Sequence, residues 1–203
     1  MKKTIAIFGA SGHSKVIIDI INLLDDYTIV GFYDDSKEGI FEKFPILGKI
    51  DSNIKLVYDA YVIGIGDNNI RKKIHYTFSN FPWVTLVHPS SIVCDNARID
   101  NGTVICAGVI VQTHVTIGKH CIVNTGSSID HDCSIGNFCS ISPGAVICGG
   151  VKIEELSFIG ANATIIQCLT IGSNCIIGAG SVIIRDTNDH CKIVGNPGKV
   201  IKY

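Results

Sequence analysis

His131 is followed by Asp132 in the stretch SSIDHDCSIGNF. An imidazole with an ordinary pKa near 6.5 takes and returns a proton at neutral pH. A carboxylate beside it fixes the ring and favours its charged form. A second chemical feature lies near the start of the chain. Gly9 to Ser14 reads GASGHS, a tight G-x-x-G turn between an apolar run and an amphipathic one. Free amides at the start of a helix attract phosphate. Two acids, Asp34 and Asp35, close the next apolar run, IVGFYDD, where they are placed to meet a sugar hydroxyl or a base edge. The nine cysteines form no C-x-x-C pair, so zinc-knuckle spacing is absent.

The element that positions His131 is a repeat. Stepping by six from Val87 to Ile183 meets seventeen residues, every one Val or Ile, before Asp189 breaks the series. The position four after each aliphatic is mostly small, and Cys121, Cys133, Cys139 and Cys175 fall there, where a thiol serves as a compact hydrophobe. Hexapeptide repeats mark β-helices. Three units make one triangular coil of 18 residues, and coils stack at about 4.8 Å, each burying what its neighbour exposes. His114 and His120 stand at equivalent repeat positions, expected at turns or outward faces.

Residues 1–86 lack the beat. TIAIF, IVGFYDD, AYVIGIG and WVTLVH read as strands, and SKVIIDIINLLDD and NNIRKKIHYTF as helices. Alternating β and α units predict a small α/β, Rossmann-like parallel sheet. The expected domains are therefore 1–86, nucleotide-binding, and 87–203, the β-helix with its tail. A dehydrogenase is disfavoured by the short sheet and the missing third glycine. A net charge of -1 recommends neither nucleic acid nor an anionic membrane as partner, and the apolar runs are too short to span a bilayer. The first apolar run breaks at Gly9, too early for a signal peptide, so a cytoplasmic protein is expected.

IFGASGHSKV, FYDD, GIGDNNIRKKI, LVHPSS, VNTGSSIDHDCSIGNF, SPGA and VGNPGKVIK follow one another across nearly the whole chain. In this order they resemble the NeuD/PglD-like hexapeptide-repeat sugar acetyltransferases. The resemblance implies a left-handed parallel β-helix, a homotrimer, and acetyl-CoA bound between neighbouring prisms. It implies N-acetylation of a UDP-linked 4-amino sugar for a bacillosamine-type glycan precursor, with His131 as general base and Asp132 as its partner. Asp132 stands where Glu is usual. By the same resemblance Asn124, Ser140, Gly149, Ala161 and Ala179 contact acetyl-CoA, the Gly149 amide facing the thioester oxyanion. The VGNPGKVIK tail leans on the cofactor, with Gly198 where Ala is usual. Ser11, Gly12 and His13 would meet phosphate or sugar, Asp34 and Asp35 the nucleoside, and Gly66 and Asp67 would line the same crevice. Other readings are a sialic-acid O-acetyltransferase, a GDP-amino-sugar N-acetyltransferase, and a non-enzymatic solenoid that binds a sugar nucleotide. A zinc carbonic anhydrase needs histidines converging on one ion; His114 and His120 lie on different faces of one coil, so no metal is expected.

Overall fold

The computed structural model of the chain describes residues 1–202; Tyr203, the last residue of the second expected domain, lies outside the described residues. The front part is a five-stranded sheet with two helices. Its strands are β1 (Lys3–Phe8), β2 (Tyr27–Tyr33), β3 (Ile40–Phe41), β4 (Phe44–Gly48) and β5 (Ala60–Ile63), in the order β3-β4-β2-β1-β5. All pairings are parallel except the β3–β4 hairpin at the edge. Strand β1 lies between β2 and β5 and is buried on both faces, which is why TIAIF reads as a continuous apolar run. Helix α1 (Gly12–Leu24) follows β1 and turns Ile17, Ile18, Ile20 and Ile21 into the core. Helix α2 (Asn68–Thr77) follows β5. The sequence reading missed the β3–β4 hairpin. It also expected one strand over WVTLVH. Instead Trp83 makes a single bridge to Tyr61, and the run then leaves the sheet.

Its last residues are the first rung of a prism. Seventeen two-residue strands run from β6 (Leu86–Val87) to β22 (Val182–Ile183), and from β6 to Thr164–Ile165 each pairs in parallel with the strand 18 residues on. They form three flat faces, called here by one inward residue each: the Ile129, Ile135 and Ile141 faces. The aliphatic of every rung points inward, and from Ile105 to Ile183 these side chains form one core. Beside them sit the small slots. Cys121, Cys133 and Cys139 are buried there, and each thiol donates to the carbonyl fifteen residues on, at 3.0–3.1 Å. Thr103 and Ser157 make the same bond at 2.7 Å. The slot takes a small side chain, Val109, Val115, Ala145, Val151 and Ala163 among them, and a thiol or hydroxyl placed there finds a carbonyl acceptor. After the slip at Asp189 the chain adds β23 (Lys192–Val194) to the Ile141 face and folds back antiparallel as β24 (Lys199–Lys202).

The corners between faces set up the chemistry. The third residue of most corners has a left-handed backbone: His114, His120, Asp132, Phe138 and Leu156 all lie at φ between 51° and 64°. Asn, Asp and Gly adopt that region most readily. A run of bulky residues holds it at the corner between the Ile135 and Ile141 faces, where His120, Phe138 and Leu156 stack in successive coils. That corner is covered. Helix α2 rests on it, and the outward residues Val104, Ile122 and Ser140 of the adjoining face are buried. His120 is therefore at a turn, as expected, but is 1% exposed rather than outward facing. His114 stands at a different corner, so one chain cannot aim both rings at one ion.

Candidate active site

His131 occupies the corner between the Ile129 and Ile135 faces, two residues past the rung Ser128–Ile129. Among the described residues no hydrogen bond joins it to the front domain, and its side chain is 57% exposed. Two contacts fix the ring and a third fixes its backbone. Nδ1 lies 2.8 Å from Asp132 Oδ2, which the left-handed turn at φ 60° swings back beside it. The backbone amide of His131 donates to Asp130 Oδ1 at 2.8 Å. The ring also leans along the prism axis onto the next coil, over Gly149. A Cβ added there would stand 2.7 Å from both Cε1 and Nε2, closer than atoms pack. The glycine is thus a seat for the imidazole, and its own amide carries no hydrogen bond among the described residues. The bond to Asp132 and the charge of Asp130 raise the His131 pKa above its ordinary value. With Nδ1–H given to the carboxylate, Nε2 is the nitrogen that can accept a proton.

Of the other residues expected near acetyl-CoA, Ala161 and Ala179 stack one coil apart at the corner between the Ile141 and Ile129 faces, with Asn124 at the same corner nearer the front domain. This corner is small-sided, lined also by Gly108, Gly126, Gly144 and Gly180. It lies at the opposite end of the Ile129 face from His131. Ser140 is elsewhere. It is buried beneath α2, donates to Asn68 Oδ1 at 2.7 Å and lies 3.2 Å from Arg71 Nη2. Its hydroxyl serves the junction between the two parts of the chain.

The front domain holds a crevice of about 470 Å³ at the carboxyl edge of its sheet, lined by Asp34, Asp35, Ile50, Ile65, Ile74 and Phe78 among others. Asp34 and Asp35 share this crevice but differ in use. Burial pushes the Asp34 pKa up, yet bonds from the Ala10, Ser36 and Lys37 amides and the Ser36 hydroxyl outweigh it and hold the carboxyl below its ordinary value. Those four donors occupy both oxygens, so Asp34 ties the G-x-x-G turn to the end of β2. Asp35 gives one oxygen to Ile50 N, leaving the other for a ligand. In the turn itself the hydroxyls of Ser11 and Ser14 are turned to the Gly64 carbonyl. The amides of Gly12 and His13 open α1 and have no intrahelical acceptor. His13 Nε2 is buried without a partner, and burial, then the Arg71 charge, push its pKa down to about 4. A neutral imidazole with an unmet nitrogen thus adjoins these amides. Gly66 carries a carbonyl held by Arg71, and Asp67 caps α2 through Ile70 N at 2.9 Å.

Sequence reasoning missed Asn68 and Arg71, which hold the junction. The available signal was the run of bulky residues, Phe138 and Leu156, in a corner slot that favours Gly, Asn or Asp. No helix among the described residues is long and apolar enough to cross a membrane.

Two family models match the chain: the PglD N-terminal domain over residues 4–78, and the bacterial transferase hexapeptide repeat over 132–167 and 150–185. Among solved structures, the acetyltransferase domain of PglB from Neisseria gonorrhoeae superposes with a TM-score of 0.94 at 34% identity, covering 98% of this chain and all of that one. A histidine mutant of perosamine N-acetyltransferase from Caulobacter crescentus, in complex with CoA and GDP-perosamine, gives 0.92 at 30% identity over 98% and 97%. Among curated proteins, UDP-N-acetylbacillosamine N-acetyltransferase of Bacillus subtilis is 36% identical over 112 residues, 52% of this chain. That match spans about half of the curated relative's own length. The prism accordingly has the left-handed hexapeptide β-helix fold.

Proposed function

Because this chain belongs to the PglD-like hexapeptide-repeat sugar acetyltransferases, we propose that it moves an acetyl group from acetyl-CoA to the amine of a nucleotide-linked amino sugar. The observation that carries the reading is the His131 corner, with Nδ1 on Asp132 at 2.8 Å and the ring seated on Gly149. As the amine nitrogen attacks the thioester carbonyl, His131 Nε2 takes its proton. The free Gly149 amide faces the oxygen that gains charge. When the carbon–sulfur bond breaks, the imidazolium returns the proton to the departing thiolate, leaving amide and free CoA. Asp132 steadies the imidazolium between the two transfers.

The acceptor sits in the front crevice, its phosphates on the amides of Gly12 and His13 with Ser11 beside them, its nucleoside against Asp35, and Gly66 and Asp67 at the wall. No hydrogen bond or ion pair joins this crevice to His131 of the same chain among the described residues. A cyclic trimer supplies the missing half, setting the small-sided corner of Asn124, Ala161 and Ala179 and the crevice of one copy against the His131 corner of the next. The faces support it: Ile92, Ile110 and Val146 expose apolar side chains on the Ile129 face, beside Ser128 and Thr164, whereas Arg98, Thr116, Ser134, Lys152 and Thr170 make the Ile135 face polar throughout. Light scattering should give about 65 kDa, three times the 21.8 kDa chain. The work is cytoplasmic, where acetyl-CoA is made.

We favour a UDP-linked 4-amino sugar. A GDP-linked amino sugar is the second reading, favoured by the likeness over nearly the whole chain to a protein solved with GDP-perosamine. The test is release of free CoA thiol with UDP-, GDP- and CMP-linked acceptors and with free sialic acid. UDP should compete with the acceptor and not with acetyl-CoA, and Asp35→Ala should raise only the acceptor KM. Inhibition by GDP instead reverses the nucleotide assignment. Acetylation of free sialic acid alone replaces N-transfer by O-transfer.

A further inference from the structure

Arg71, on α2, is 1% exposed at the junction of the two parts of the chain. Its guanidinium spreads over both. On the front side Nη1 lies 3.3 Å from Ile65 O and 2.8 Å from Gly66 O, where β5 ends and the crevice begins. On the prism side Nε donates to His120 O at 2.9 Å, and Nη2 lies 3.1 Å from Phe138 O and 3.2 Å from Cys139 O. Asn68 Oδ1, at 2.9 Å, and Ser140 Oγ, at 3.2 Å, complete the set, and Asn68 is itself tied to the prism, its Nδ2 donating to Leu156 O and its Oδ1 accepting from Ser140 Oγ.

None of these acceptors is a carboxylate. Burial lowers the Arg71 pKa to about 10, so the group still carries its charge at neutral pH. A buried cation without a counter-ion is a poor way to glue two surfaces, since apolar residues of similar volume do that as well or better. What the planar fork does, and packing cannot, is hold several carbonyls at fixed angles to one another. Here it locks the turn at residues 65–66 to two successive prism coils. Ile65, Ile70 and Ile74 of the crevice wall are on that turn or on α2.

We propose that Arg71 is a positioning residue for acetyl transfer: it sets the height and angle of the nucleotide crevice on the prism, and so where the acceptor amine meets the base. The inference rests on the acetyl-transfer reading above. A misplacement of 1 Å in a reacting pair costs about a hundredfold in rate, while each ligand still binds its own subsite.

The test uses the full chain carrying Arg71→Gln or Arg71→Lys. Three quantities are measured: steady-state turnover on the acceptor found by the screen, UDP and GDP affinity by calorimetry, and hydrogen exchange of the amides at 64–68. In Arg71→Gln, kcat should fall at least tenfold. The acetyl-CoA KM should stay within twofold, the nucleotide Kd within fivefold, and the acidic limb of the pH–rate profile in place. Arg71→Lys should lie between the two, and exchange at 64–68 should quicken in both. A folded Arg71→Gln protein that keeps kcat within threefold overturns the proposal. So does a loss of nucleotide affinity large enough to account for the lost rate, or a lysine variant no better than glutamine. If Arg71→Gln does not fold, Asn68→Ala must show the same split. If the wild type acetylates none of the acceptors, the transfer reading falls, and unchanged exchange at 64–68 would then overturn the clamp as well.

Discussion

Gly149→Ala tests the seat beneath His131. No left-handed backbone is needed at this glycine, so alanine brings no conformational strain. Its effect is steric: the new methyl would lie 2.7 Å from His131 Cε1 and Nε2 and 3.3 Å from Cδ2. Ordinary carbon contacts need about 3.5–4.0 Å, so the ring must lift by about 1 Å. Rotation away from Gly149 also stretches the 2.8 Å bond to Asp132. A shift of that size costs about 10² in turnover, or about 2.7 kcal/mol of transition-state stabilisation. Because the Asp132 bond is the first cause of the raised His131 pKa, loosening it lowers that pKa, and the acidic limb of the pH–rate profile moves to lower pH. The assay is thiol release from acetyl-CoA across pH 5–9, with thermal unfolding to show that the prism is intact. The decisive arm is the double variant. In a His131→Ala background there is no ring to displace, so adding Gly149→Ala should cost less than about threefold. Wild-type turnover in Gly149→Ala would refute the seat. An undiminished hundredfold loss in the His131→Ala background would assign the effect to the Gly149 amide or to cofactor binding instead.

His131→Ala should lower turnover by about 10²–10⁴ and leave the acetyl-CoA KM nearly unchanged, with His114→Ala a silent control. Asp132→Asn should cost less and shift the acidic limb downward, since the imidazolium loses its partner; steady-state pH profiles check both. At the junction, His120 Nε2 lies 2.9 Å from His75 Nδ1, and burial, followed by the His75 charge, pushes the His120 pKa down to about 3. A depressed histidine binds fewer protons folded than unfolded. Stability should therefore be full above about pH 6.5 and fall as pH drops toward 3. The loss is on the order of 2 kcal/mol by pH 4.5. His120→Gln, which keeps a nitrogen donor without titrating, should flatten the melting temperature against pH over that window. Cys133→Ser should fold and turn over normally, because Ser157 fills the same slot with the same bond; lost activity in a folded variant would show that the thiol has a chemical use.

The prism was legible because every rung obeys one local rule: an aliphatic points inward every sixth residue, whatever the neighbouring coils do. The His131 corner was legible for a related reason, since the ring, its acid and its glycine seat lie within 18 residues in a fixed register. The front sheet was readable in its long strands, β1, β2 and β5. The β3–β4 hairpin escaped because a two-residue strand has no periodicity to detect. The junction escaped for a different reason. NNIRKKIHYT reads as a polar, solvated helix, and only contacts 49–89 residues away bury Asn68 and Arg71. His13 and Asp34 were expected to meet the acceptor, and the structure places His13 at the start of α1 and Asp34 in the lining of the crevice. Their hydrogen bonds, which leave Asp35 rather than Asp34 with a free oxygen, depend on how the loops close.

A solenoid is graduated like a ruler, and both halves of the chemistry are fixed to its marks. Helix α2 grips the marks at His120, Phe138 and Leu156, and His131 lies between the first two. The axial offset from front domain to His131 can then change only in whole steps of about 4.8 Å, by gaining or losing 18 residues. Inserting six residues instead would turn everything beyond by one face, carrying His131 round to the side where α2 sits. Reach toward a longer or shorter acceptor is thus tuned in the front-domain loops, or jumps by a full coil; the prism itself offers no intermediate setting.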